Sequence, residues 1–127
     1  MATVADTYRD TPTEAIRVLF CIGVREAFFD AEDAERKAVF EAITGAFADL
    51  GGRFGVTVLG THDDDELVVG PADNFPWTAY ILADVPTYQV VTKICDIVRS
   101  TDVGTARLWK YLKIEARPGR PLFFGNE

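Results

Sequence analysis

Several residue types and patterns are scarce in this 127-residue chain. Its two cysteines, Cys21 and Cys95, form no CxxC pair and no cysteine–histidine spacing, which argues against a zinc site and against a disulfide-stapled fold. No apolar run approaches the ~18 residues of a membrane-spanning helix. Residues 1–14 lack the charged-then-apolar layout of a secretion signal. We therefore expect a cytoplasmic protein with no membrane segment.

Positive charge is also in short supply, since 13 Lys and Arg side chains face 20 Asp and Glu, giving a net charge of −7. Nucleic-acid backbones are bound by clustered positive charge, so a nucleic-acid partner is not expected. One stretch, residues 99–120, is locally basic. It is either a solvated strand edge and tail or an anchor for a small anionic ligand.

The common cofactor signatures are missing as well. The chain has no P-loop, no dinucleotide-binding glycine fingerprint and no Ser-His-Asp pattern. Hydride transfer with a bound nucleotide and nucleotide hydrolysis are therefore not expected, and we predict no cofactor.

What the chain does contain is a set of β-branched, aromatic-rich runs separated by two helical patterns. Strands are predicted at residues 16–25, 54–61, 77–85 and 108–116. Apolar residues at helical spacing predict one helix after the first strand and another after the third. This strand–helix–strand–strand–helix–strand order is that of the ferredoxin-like split fold.

These elements predict a single α+β domain over residues 15–117. Right-handed crossovers place both helices on one face of a four-stranded antiparallel sheet. Residues 1–14 are predicted to form a flexible tail. Residues 118–127 form a second tail whose Leu-Phe-Phe segment is expected to dock, with a partner copy as one candidate surface.

Alternation along each strand separates the two faces of this sheet, and the helix-facing set is uniformly apolar. The opposite face is small, apolar and aromatic: Leu19, Cys21, Gly23, Thr57, Leu59, Thr61, Thr78, Tyr80, Leu82, Trp109 and Tyr111. Exposing such a face forgoes about 1.5–3 kcal/mol per large apolar side chain. We therefore expect a second copy to cover it in a two-fold dimer that leaves an aromatic-lined cavity.

Four stretches carry a family resemblance: VLFCIGV at 18–24, DDDELVVGP at 63–71, PWTAYILADV at 76–85 and LWKYLKIEAR at 108–117. With the strand order and the two-sided sheet, the chain resembles the dimeric α+β barrel superfamily, which includes cofactor-independent monooxygenases, muconolactone isomerases and polyketide cyclases. More narrowly, it is similar to the IacB-like proteins encoded in bacterial gene clusters that degrade indole-3-acetic acid.

The resemblance implies a homodimer of aromatic-compound catabolism whose barrel cavity binds an aromatic acid or its oxidised product. The chemistry it implies is cofactor-free monooxygenation or isomerisation. It provides no catalytic motif that maps onto this chain, so the candidate site residues come from the sequence pattern alone.

The candidate catalytic groups are His62, Tyr80 and Tyr111. His62 is the only histidine, and it is either a general acid or base at the cavity mouth or an exposed turn residue. The three aspartates that follow it could hold a hard cation. Three consecutive carboxylates on a strand cannot all point inward, however, so we predict a turn and no metal site.

The predicted ligand-binding residues are Cys21, Gly23, Thr57, Leu59, Trp77, Tyr80, Trp109, Tyr111 and Lys113. Their rings suit a flat aromatic ligand, and Lys113 suits its carboxylate. The same residues serve equally well as a dimer interface. A non-enzymatic ligand-binding or interaction module is therefore the alternative function.

Overall fold

The computed structural model describes residues 15–70 and 77–125, so the predicted tail at 1–14 lies outside the described residues. The strands are β1 (Ile16–Val24), β2 (Thr57–Asp63), β3 (Trp77–Val85), β4 (Asp102–Val103), β5 (Ala106–Arg107) and β6 (Leu112–Gly119). The helices are α1 (Glu26–Phe29), α2 (Asp33–Ala46), α3 (Leu50–Phe54), α4 (Tyr88–Cys95) and α5 (Ile97–Ser100). A 3-10 turn (Leu108–Lys110) precedes β6.

The main sheet has the strand order β2-β3-β1-β6, and its neighbouring strands are antiparallel. The predicted α+β class and four-stranded antiparallel sheet are confirmed, and the arrangement is compatible with a ferredoxin-like fold. The short β4–β5 hairpin was not predicted. Among the described residues, no helix is both long and apolar enough to cross a membrane.

The two central strands, β1 and β3, divide their side chains between the faces as the alternation predicts. Val18, Phe20 and Ala83 are fully buried on the helix face, where they pack with Leu50 of α3 and Ile94 of α4. A second cluster, at the other end of that face, joins Val39, Val98, Val103, Leu108, Tyr111 and Leu112. The helices therefore cover one face of the sheet.

The chain begins α4 at the residue that sequence chemistry favours. Thr87 lies just before the helix in an extended conformation, and its hydroxyl oxygen accepts a hydrogen bond from the Val90 amide at 3.2 Å. This satisfies one of the amides that the first helical turn leaves unbonded. The chain that leaves β3 is thereby directed back over the helix face.

The predicted fourth strand was wrong in its first four residues. Leu108 is fully buried in the second cluster, and its amide donates to the Thr101 carbonyl at 2.8 Å, which pulls the chain into the 3-10 turn instead of the sheet. Trp109 is consequently half exposed on that turn, and Tyr111 is buried among the helices. β6 begins at Leu112 and ends at Gly119, two residues beyond the predicted domain end at 117.

Two bulges also alter the predicted faces. The register of β2 shifts between Val58 and Gly60, so Leu59 is unpaired and every later residue changes sides. Thr61 therefore pairs with Ile81 on the helix face, where the alternation had placed it on the other. A second shift, between Ile22 and Gly23, brings Trp77 opposite Gly23.

Candidate functional site

The sheet face away from the helices, called here the open face, consists of cross-strand rows that the pairing defines. The central row runs His62–Tyr80–Cys21–Glu115 from edge to edge, and the next row toward the start of β1 runs Gly60–Leu82–Leu19–Arg117. Beyond it, the guanidinium of Arg17 donates to the Asp84 carboxylate at 2.9 Å. Charged and hydrogen-bonding groups thus take a larger share of this face than the alternation predicted.

A groove of about 320 Å³ lies on the other side of the sheet, between α2 and the strands. Its walls are apolar, formed by Ile22, Ile43, Phe47, Ala79 and Ile81, and its polar lining residues are Thr61, His62, Asp63 and Tyr80. The bulge in β2 places Thr61 and Asp63 opposite Ile81 and Ala79, and so on this side. An apolar cleft with a few convergent polar groups is the usual form of a small-molecule site.

His62 and Tyr80 are the two predicted catalytic residues that the structure brings together. They are paired across β2 and β3, and their ring centroids are 6.0 Å apart with the planes tilted by 35°. Both residues border the groove at the sheet edge, but their paired side chains lie in the central row of the open face. The polar side chains on the groove's own side of β2 are therefore those of Thr61 and Asp63.

The Tyr80 hydroxyl already has a strong partner. It donates to Oδ2 of Asp64 at 3.0 Å, and the Asp64 amide donates to the Thr78 carbonyl, which holds that carboxylate beside the strand. Burial, followed by the hydrogen bond to Asp64, raises the pKa of Tyr80. At neutral pH Tyr80 is therefore a protonated hydrogen-bond donor and does not act as a base.

Tyr111 is not part of this arrangement. Its hydroxyl donates to Oε2 of Glu35 on α2 at 2.8 Å, and its ring lies in the second apolar cluster under the Lys110 ammonium. Burial, followed by the hydrogen bond to Glu35, raises the pKa of Tyr111. Its observed contacts tie the 3-10 turn to α2, and it lines neither the groove nor the open face.

Trp77 and Lys113 lie on either side of Gly23 in an open-face row next to the central one. The Lys113 ammonium is 5.6 Å from the Trp77 ring centroid, a cation–π distance that the bulge at Gly23 makes possible. Cys21 is fully buried between Tyr80 and Glu115. Burial is the main cause that raises the pKa of the Cys21 thiol, which is therefore protonated at neutral pH.

The remaining predicted ligand-binding residues are dispersed. Thr57 pairs with Asp84 at the far end of β3 from Trp77, Leu59 lies at the bulge, and Trp109 is on the 3-10 turn. None of the three lines the groove. Ile43 and Phe47 do line it, although neither was among the ligand-binding residues predicted from the sequence.

The predicted turn does not include all three aspartates after His62, because Asp63 is the last residue of β2, and Asp64 and Asp65 follow it without regular structure. Carboxylate oxygens of Asp63, Asp64 and Asp65 lie within 4.8 Å of one another. Asp63 Oδ1 accepts from the Asp65 amide at 2.9 Å, and Asp64 accepts from Tyr80. Local hydrogen bonds therefore account for this cluster.

Comparison with known proteins adds no further assignment. No protein-family model, no curated protein and no solved structure matches this chain.

Proposed function

We propose that this protein binds a small, flat aromatic compound in the groove between α2 and the sheet. The supporting observation is the apolar cleft itself, where Thr61 and Asp63 bring polar side chains of β2 beside the walls formed with α2. An aromatic ring suits Ile43 and Phe47, where its burial is favourable. Because the lining residues include no lysine or arginine, the carboxylate of an aromatic acid has to stay at the solvated mouth.

The chemistry that fits these groups is a cofactor-free isomerisation. Asp63, the carboxylate on the groove's side of β2, removes a proton from one carbon of the ligand and returns it to another, so that no oxidant or reductant is consumed. The Thr61 hydroxyl, on the same side, is the neighbouring hydrogen-bond donor for charge that develops on the ligand. We propose this role within aromatic-compound catabolism, where oxygenation in the same groove requires dioxygen as a co-substrate.

A non-enzymatic ligand carrier is the second candidate, and the placement of His62 and Tyr80 on the open face favours it. Among the residues that line the groove, Asp63 is the one titratable side chain on the groove's side of the sheet. Asp63→Asn separates the two candidates. An enzyme loses turnover while it retains ligand affinity, whereas a carrier shows no turnover in either form.

A homodimer that covers the open face belongs to the same proposal. Leu19 and Leu82 are direct cross-strand neighbours in the middle of this face, with Arg117 beside them and the Arg17–Asp84 pair in the next row. This apolar centre within a charged border is the usual anatomy of an interface. The apolar centre of the open face is smaller than the sequence predicted. Trp109 lies on the 3-10 turn and Tyr111 lies in the second apolar cluster.

Ligand binding is tested by thermal unfolding against a panel of aromatic acids that includes indole-3-acetate. A ligand at a hundredfold excess over its Kd adds about 2.7 kcal/mol to the free energy of unfolding. Thr61→Trp fills the groove and is expected to weaken binding by about tenfold or more. Thr57→Trp is the matched control, because it lies on the same strand but pairs with Asp84 on the open face.

The control is expected to bind within about twofold of the wild type. Stabilisation by no panel member would refute the ligand proposal. Equal weakening by both tryptophan variants would show that the site is not the groove.

A further inference from the structure

An exposed aromatic arm, defined here as residues 120–125, follows the last strand of the sheet. These residues follow β6 and have no regular structure. Phe123 is 94% exposed and Phe124 is 58% exposed, with the two rings edge-to-face at 4.7 Å. Because burial of apolar area is favourable, a pair of rings held in water is a candidate contact for another surface.

A second exposed aromatic group, called here the aromatic patch, lies on α1 and α2. Phe28 packs against the second apolar cluster and anchors the rings of Phe29 and Phe40 edge-on at 5.6 Å and 5.4 Å. Phe29 is 64% exposed and Phe40 is 58% exposed. The patch is therefore an ordered apolar surface that is open to solvent.

Charge makes the arm and the patch complementary. Residues 26–41, which carry the patch, include six acidic and two basic side chains, a net charge of −4. The arm, residues 120–125, carries Arg120 and no acidic side chain. Opposite charges around apolar contacts favour encounter and fix the register of docking.

Within one chain the arm is not docked on the patch, because the rings of Phe123, Phe124, Phe29 and Phe40 are all exposed. The Arg25 amide donates to the Tyr111 carbonyl at 2.7 Å, so α1 starts beside the beginning of β6. The arm leaves from the other end of this eight-residue strand, which is about 23 Å away. From Gly119 to Phe124 the chain extends at most about 18 Å.

We propose that the arm of one copy docks on the aromatic patch of a second copy, and that two copies exchange arms about a two-fold axis. Phe123 and Phe124 pack against Phe29 and Phe40, and Arg120 lies over the acidic surroundings of the patch. Two-fold exchange satisfies both arms and both patches in a closed dimer. The proposal adds a contact to the dimer proposed above and does not depend on the groove ligand.

The test is the dimer dissociation constant of the purified full-length chain, measured by sedimentation velocity. Phe123→Ser/Phe124→Ser removes the arm's rings, and Phe29→Ser/Phe40→Ser removes the exposed rings of the patch. Each double variant is expected to raise the Kd by about tenfold or more. Leu67→Ser/Val69→Ser is the control, because Leu67 and Val69 are also exposed apolar side chains and belong to neither the arm nor the patch.

Mixing the two double variants distinguishes arm exchange from other effects. The mixture holds one intact arm and one matching intact patch, so it is expected to associate more tightly than either variant alone. A monomeric wild type, or an unchanged Kd in both variants, would overturn the proposal. It would also fail if the arm variant dissociated the dimer while the patch variant left it intact, because the arm would then dock elsewhere.

The fold and the groove provide independent readouts. All four substituted phenylalanines are exposed and none lines the groove, so the variants are expected to unfold cooperatively and to bind aromatic acids as the wild type does. Failure of arm exchange is therefore distinguishable from failure of the ligand proposal.

Discussion

The two faces of the sheet are built from alternate residues of the same strands, yet they are held together differently. On the helix face, Val18 and Phe20 are fully buried in a continuous apolar cluster. On the open face, Arg17 of the same strand forms an ion pair with Asp84, and Glu115 forms one with Arg117. The comparison indicates that the helix face supplies most of the stability, while the open face is available for specific contacts.

The largest expected effect separates the two faces at adjacent residues of β1. Phe20→Ala leaves a cavity in the helix-face cluster and is expected to lower the free energy of unfolding by about 3–5 kcal/mol. Leu19→Ala, on the half-buried open face, is expected to cost about 1 kcal/mol. Chemical denaturation of both variants measures the difference, and similar losses would contradict the division between the faces.

A second prediction concerns high pH and the buried hydroxyl of Tyr111. Burial, together with the hydrogen bond to Glu35, raises the pKa of Tyr111 in the folded protein. Above the ordinary tyrosine pKa of about 10, the unfolded chain loses this proton while the folded chain retains it. This contribution to stability is therefore fully present below pH ~10 and is lost as the pH rises through the pKa that Tyr111 has in the folded protein.

Tyr111→Phe removes that contribution. Its free energy of unfolding is expected to fall less steeply above pH ~10 than that of the wild type, whereas the difference between the two stays constant from neutral pH up to ~9. Denaturant titrations at a series of pH values provide the measurement. Parallel curves for the two proteins above pH 10 would show that the hydroxyl has no raised pKa.

The smallest expected effect is on the open face. Asp84→Asn breaks the ion pair between Asp84 and Arg17. Both of these side chains are about one-third exposed. Partly exposed pairs contribute little and are screened by salt. The variant is expected to be slightly less stable than the wild type at low ionic strength and to match it in concentrated NaCl. A loss as large as that of Phe20→Ala, persisting in salt, would make the open face an equal source of stability.

The central strands were predictable from sequence, and the edge strands were not. In β1 up to Ile22, and in β3 from Ala79 onward, alternation of apolar residues specified both strand and face, as for Val18 against Leu19. In β2, one extra residue at Leu59 moved Thr61 to the helix face, and alternation carries no mark of such a bulge. At the start of the last strand, the burial of Leu108 outweighed the β-propensity of Trp109 and Tyr111.

The candidate site was also predictable only in part. His62 and Tyr80 stood out by residue type, and the structure places them together because they lie on paired strands. The groove walls could not be identified, because Ile43 and Phe47 have the same helical spacing as core residues that line no cavity. Only the packing of α2 over the edge of the sheet distinguishes them.

The most direct test of the groove is the NMR signal of His62, which lies between the groove-lining residues Thr61 and Asp63. The chain has one histidine, so the ring carbon–proton resonance needs no assignment. We predict that a stabilising aromatic acid shifts this resonance saturably, with the Kd found by thermal unfolding, and that Thr61→Trp abolishes the shift. A ligand that stabilises the protein while the His62 resonance stays unchanged would contradict the assignment of the groove as the binding site.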